Sequence, residues 1–158
     1  MNGSDDGGVS GSSDERYVVC MKWGTKYGAE YVDRLYGMVR RHLRGDFRFV
    51  CLTDRSQGIR AEVSCLPIPP LDLPAGIPER GWNKLTTFSA ELHERHGLRG
   101  TALFLDLDVV IVDDITPFFE LPGEFLIIHD WKRPWRITGN SSVYRWRLGA
   151  HEIGRAHV

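Results

Sequence analysis

No apolar run in this sequence approaches the roughly 18 residues that a membrane-spanning helix needs, so no stretch reads as a transmembrane segment. Neither sign of charge is in excess: the 158 residues carry a net charge of −1. Nothing global therefore points to nucleic acid as a partner. Cysteine is scarce. Cys20, Cys51 and Cys65 each sit in an apolar, strand-like run, are odd in number and lack metal-ligand spacing. They are expected to be buried free thiols in a reducing compartment rather than a disulfide framework. The six histidines show no spacing such as H-E-x-x-H. The first 15 residues, MNGSDDGGVSGSSDE, have neither the basic nor the apolar segment of a secretion signal. They are expected to form a disordered tail.

What is present suits one soluble domain: 42% hydrophobic and 26% charged residues, in a chain long enough for a single core. Tyr17-Val18-Val19-Cys20-Met21 is a continuous apolar run and predicts a buried strand. KWGTKYG then breaks the pattern. Tyr31, Leu35, Met38, Val39 and Leu43 recur at helical spacing over residues 29–43, with Gly45 as a stop. Further strands are expected over residues 47–53, 62–68, 101–112, 125–129 and 142–148, and a second helix over 82–96. Residues 71–81, rich in proline and glycine, and the basic, aromatic stretch 132–140 read as loops. Strands alternating with helices predict an α/β domain with a mainly parallel sheet. In such sheets ligands bind outside the carboxyl ends of the strands. Lys22-Trp23-Gly24, Thr53-Asp54, Asp106 to Asp108 and Asp130-Trp131 all fall at those ends.

The most informative stretch is LFLDLDVVI, residues 103–111. An apolar run delivers two carboxylates two positions apart. In a regular strand Asp106 and Asp108 would share a face. Charge at the end of an apolar strand needs compensation, and a hard divalent cation supplies it through carboxylate oxygens.

This strand resembles the Asp-x-Asp strand of GT-A glycosyltransferases, the nucleotide-diphospho-sugar transferases. The surroundings agree in order: KWGTKY after the first strand, the helix EYVDRLYGMVRRHL, Thr53-Asp54, Trp82-Asn83-Lys84-Leu85, and Asn140-Ser141-Ser142-Val143. The resemblance implies a Rossmann-like GT-A sheet flanked by helices. It also implies a donor that is a nucleotide-diphospho-sugar, UDP-sugar by default, and an acceptor that is a glycan, a lipid-linked molecule or a protein. Mn²⁺ or Mg²⁺ would be the cofactor, with Asp108 its direct ligand and Asp106 sharing it or contacting the ribose. Lys22, Trp23 and Tyr27 would line the base and ribose pocket, Asp54 would contact the nucleotide, Lys84 would approach the phosphates, and Asn140 and Ser141 would face the sugar. Asp130 is a speculative catalytic base. The implied setting is polysaccharide synthesis in the cytoplasm or at the inner membrane face.

Two other readings stand beside this one. LFLDLDVVIVDD also resembles the motif of haloacid-dehalogenase-like phosphatases, with Asp106 as nucleophile and Asp108 as general acid. That motif normally opens its domain, whereas here some 100 residues come first. A non-catalytic nucleotide-sugar-binding fragment is the third reading. Lys132, Arg133, Arg136, Arg145 and Arg147 form a basic cluster suited to a phosphorylated acceptor or to plain solvation. The ending EIGRAHV, residues 152–158, continues no pattern. Written as GAG ATC GGA AGA GCA CAC GTC, it matches a common sequencing adapter. It is expected to be a non-native tail, leaving residues 16–151 as a GT-A-like domain that is incomplete at its C-terminus.

Overall fold

The computed structural model describes residues 14–74, 76 and 81–150. The expected tail falls outside them up to residue 13, as do residues 152–158. Asp14 and Glu15 are described and engaged: Asp14 pairs with Arg147 at 3.0 Å, and the Glu15 carbonyl accepts the Thr101 amide at 2.9 Å.

Six strands form one sheet, in the order β3-β2-β1-β4-β6-β5. They are β1 Arg16–Lys22, β2 Arg48–Thr53, β3 Ser64–Leu66, β4 Thr101–Leu105, β5 Phe125–His129 and β6 Gly139–Arg147. The first four run parallel. The sheet is α/β, as expected, but mixed rather than mainly parallel, because β6 lies antiparallel to both β4 and β5. A direct hairpin joins β5 to β6, and a hairpin enforces antiparallel pairing.

β1 and β2 are parallel neighbours and need a crossover between them, which α1, Ala29–His42, supplies. Its Val32, Leu35, Tyr36 and Val39 are buried, one stripe of a 3.6-residue period. Arg40, Arg41 and His42 in the last turn oppose the helix dipole. Alternation along β1 sends Val18 and Cys20 into the core shared with α1, and Tyr17, Val19 and Met21 into a second core with Phe104, Tyr144 and Trp146. Burial on both faces is why the β1 run is apolar without a break. Tyr144 stacks on Phe104 with centroids 4.8 Å apart, and its hydroxyl meets Thr87 Oγ1 at 2.9 Å.

Two expected elements come out differently. The helix predicted over 82–96 is a 3₁₀ helix, Trp82–Phe88, followed by a single α-turn, α2, Glu91–Glu94. Thr86 and Thr87 donate their hydroxyls to the carbonyls of Asn83 and Lys84, three residues back, at 2.6 and 2.7 Å. These bonds compete with regular α-helical pairing. Ser89 then takes extended backbone and accepts the Glu91 amide through its side chain. The strand predicted over 101–112 stops at Leu105. Beyond it, the chain turns and leads to α3, Pro117–Glu120.

The five-residue basic cluster is split: Lys132, Arg133 and Arg136 stay exposed together, while Arg147 pairs with Asp14 and Arg145 turns inward. Arg145 is buried and donates to the carbonyls of Phe118 at 3.1 Å, Leu121 at 2.7 Å and Gly123, closing the end of α3. Replacing Arg145 with Ala would strand these carbonyls. Denaturant unfolding of Arg145→Ala is expected to show a loss of about 2–3 kcal/mol.

The three cysteines lie side by side across the sheet, Cys20 opposite Cys51 and Cys51 opposite Cys65. All are free thiols, as expected. Burial, and then the neighbouring Cys51, pushes the Cys20 thiol well above its ordinary value. Alkylation of the native protein, read by mass spectrometry, is therefore expected to modify Cys65 alone, and to reach Cys20 and Cys51 only on unfolding.

Candidate functional site

The carboxyl ends of β1, β2 and β4 meet at one edge of the sheet, with the start of β6 beside them. After β1 the chain makes a loop whose Gly24 has φ +65°, a left-handed backbone that favours glycine. Its amide donates to Asp54 Oδ2 at 3.1 Å, so the end of β2 holds the loop in place. At the end of β4 the Asp106 amide donates to the Ser142 carbonyl at 2.9 Å, and its own carbonyl accepts the Val109 amide at 3.2 Å. That turn buries Leu107 beneath the surface. Asp106 and Asp108 both line the resulting cleft. They are brought together by the turn, not by the strand alternation that the sequence suggested.

The cleft measures about 250 Å³ and is lined by Met21, Trp23, Lys26, Tyr27, Lys84, Asp106, Leu107 and Asp108. Ligand sites for drug-sized molecules usually hold about 300–1,000 Å³, so it suits part of a nucleotide rather than all of a nucleotide sugar. A larger cavity, about 500 Å³, lies at the opposite end of the strands beside Arg48, Phe49 and Ser64. It contains none of the converging carboxylates, and the carboxyl edge is the expected place for a ligand.

Lys84 is the hub of the cleft. Its Nζ lies 2.7 Å from Asp106 Oδ1 and 2.8 Å from Oδ2, and 3.2 Å from the Ser141 carbonyl. The two charged side chains are only 18% and 23% exposed, so the pair is partly shielded from water. Tyr27 donates its hydroxyl to Asp108 Oδ2 at 3.2 Å and sets its ring edge-on to Tyr31. Lys26 sits with its ammonium 4.8 Å over the Tyr27 ring, and Tyr27, then Asp108, holds that ammonium above its ordinary value.

Of the expected contacts, Trp23, Tyr27, Lys84, Asp106 and Asp108 line the cleft. Ser141 touches Lys84 but not the cleft itself. Four do not belong to it. Lys22 is buried and turned toward the Arg55 carbonyl, 3.5 Å away, because alternation at the end of β1 gives the cleft Met21 instead. Asp54 supports Gly24. Asn140 accepts the Ser142 amide at 2.9 Å and shapes the start of β6. Asp130 accepts the Lys132 amide at 3.1 Å in the β5–β6 hairpin and does not line the cleft. Met21, Lys26 and Leu107 were not anticipated. Only Lys26 left a signal, a cation beside Tyr27 in the loop KWGTKYG.

Two carboxylates and two ammonium groups make the cleft formally neutral. Among the described residues, no group of three or more His, Cys, Asp or Glu side chains could hold a metal ion. Asp106 and Asp108 alone fall short of the six or more oxygens a hard cation takes. Both Asp106 oxygens face the Lys84 ammonium, and Asp108 holds Tyr27 through Oδ2 alone, so a cation here would rest mainly on Asp108 and take its remaining ligands from waters and phosphate oxygens, as Mg²⁺ commonly does. A diphosphate approaching the bare carboxylates would be repelled, and a dication between them reverses that interaction.

Breaking the Lys84–Asp106 pair from one side leaves a partly buried charge alone. Lys84→Met is expected to cost about 1–2 kcal/mol, and Lys84→Met combined with Asp106→Asn less than the two single losses together, as read from a double-mutant cycle of denaturant unfolding. No protein-family model matches this chain and no curated protein matches it, so what it does has to be argued from the cleft.

Proposed function

We propose that the chain supplies the donor-binding unit of a metal-dependent glycosyltransferase of the Rossmann-like GT-A type, which moves a sugar from a nucleotide diphosphate to an acceptor. One observation carries this reading: a Lys84-held Asp106 and a Tyr27-held Asp108 line the same aromatic-walled cleft at the carboxyl edge of parallel strands. In this reading Asp108, with Asp106, holds Mn²⁺ or Mg²⁺. When bound, that cation supplies the positive charge that neutralises a departing nucleoside diphosphate. Tyr27 fixes the orientation of Asp108 through its hydroxyl. Lys84 keeps Asp106 in place and adds a positive charge to the edge where phosphates would lie. Trp23 and the Tyr27 ring offer flat surfaces to a base or sugar, and Lys26 adds a second cation at the rim.

With two carboxylates in the cleft and no third among the described residues, metal and diphosphate affinities are coupled, each raising the other by the same factor. Calorimetric titration of UDP is therefore expected to show binding with Mn²⁺ present and little without it. Asp108→Ala should weaken that binding by about tenfold or more. Equal binding with and without Mn²⁺, unchanged in Asp108→Ala, would remove the proposal. Hydrolysis of an aryl phosphate that disappears in Asp106→Asn would favour the phosphatase instead.

A further inference from the structure

At the turn between β5 and β6, three large apolar side chains stand in water: Trp131 is 71% exposed, Trp135 78% and Ile137 fully. Lys132, Arg133 and Arg136 are interleaved with them and are exposed too. None of the three is in an ion pair among the described residues. Asp130, next to them in sequence, accepts the Lys132 amide at 3.1 Å, and its single negative charge leaves the segment 130–137 net positive. A chain of net charge −1 thus carries a local knot of three cations among two indoles and an isoleucine.

The backbone of this tip largely satisfies itself. The Asp130 amide donates to the Thr138 carbonyl at 2.8 Å, Arg133 to Asp130 at 3.0 Å, Arg136 to Arg133 at 2.9 Å and Thr138 to Arg136 at 3.0 Å. His129 Nε2 lies 2.9 Å from the Arg136 carbonyl. Self-paired backbone of this kind enters a water-poor interface at low cost.

We propose that the β5–β6 hairpin tip docks on the surface of an anionic lipid bilayer. Indole rings sit at the headgroup level, where an apolar body and a polar N–H are both accommodated. Lys and Arg beside them are drawn to acidic headgroups, and the fully exposed Ile137 adds apolar surface for the acyl chains. A second copy of the chain is a poor occupant. A two-fold contact would set this patch against itself and bring like charges together. A neutral glycan is also a poor occupant, because it offers no counter-charge to the three cations. β5 runs in the same direction as β4, so the tip projects from the sheet edge that carries the cleft. Docking would hold the cleft close to the bilayer. The proposal does not depend on what that cleft binds.

Co-sedimentation of the full chain with phosphatidylcholine vesicles, with and without phosphatidylserine, tests it. Binding is expected only with phosphatidylserine, and to weaken as salt rises. The variant Lys132→Ser/Arg133→Ser/Arg136→Ser should lose about fivefold per cation removed, and Trp131→Ser/Trp135→Ser/Ile137→Ser should lose the salt-resistant part. Brominated lipid should quench the tryptophan fluorescence of the unmodified chain, a measurement that needs no variant. The thermal midpoint and the Mn²⁺–UDP titration of both variants should match the parent, separating lost docking from lost folding and from the cleft's function. The proposal is overturned by absence of co-sedimentation and quenching, by equal lipid binding in parent and variants, by self-association that the variants abolish, or by soluble oligosaccharide as the tip's partner.

Discussion

A carboxylate at the end of a buried strand has to be compensated, and here Lys84 does it. The apolar run of β4 delivers Asp106 to the edge of the sheet, where its charge is only partly in water. Three segments distant in sequence meet at the Lys84 ammonium: the 3₁₀ helix that carries it, the end of β4 through Asp106, and the start of β6 through Ser141. The Asp106 amide and the Ser142 carbonyl tie the last two together again. Remove the pair and the floor of the cleft loses one of the contacts that set the helix against the sheet, beside Thr87 on Tyr144 and the packing of Phe88.

The rest of the edge follows the same economy of charge. Asp54 holds Gly24 and Asp108 takes a hydroxyl from Tyr27, while away from this edge Arg145 spends its guanidinium on three carbonyls near the end of α3. Polar side chains that read as ligand contacts in a linear motif are often supports in the fold, since a buried polar group finds the nearest partner first. What remains facing open space is a short set, two acids and two amines between aromatic walls.

Much of the fold was legible in the sequence where burial imposes a period. β1, α1, β2 and β5 fall within a residue of where apolar runs and the 3.6-residue stripe put them. Strand direction was not legible, because an apolar run reads the same either way, and the antiparallel β6 went unforeseen. The 3₁₀ segment was hidden too, since Leu85, Phe88 and Leu92 satisfy a helical stripe while the hydroxyls of Thr86 and Thr87 decide the hydrogen bonding. Asp106 and Asp108 do line one cleft, but a turn and not strand alternation brings them together. Lys22 was misplaced because sequence position at a strand end does not say which face a side chain takes. Lys26 was overlooked although it lies within KWGTKY, because a lysine in a polar loop reads as solvated.

The 3₁₀ geometry of Trp82–Phe88 sets a length as well as a shape. A 3₁₀ helix rises about 2.0 Å per residue against 1.5 Å for an α-helix, so these seven residues span about 3.5 Å more than they would as α-helix. Lys84 sits near the amino-terminal end of this segment, at a reach that brings its ammonium to Asp106. The hydroxyls of Thr86 and Thr87 that favour the tighter winding are therefore also gauge blocks. They set the distance between a lysine and the carboxylate it must meet, although neither threonine touches the charge.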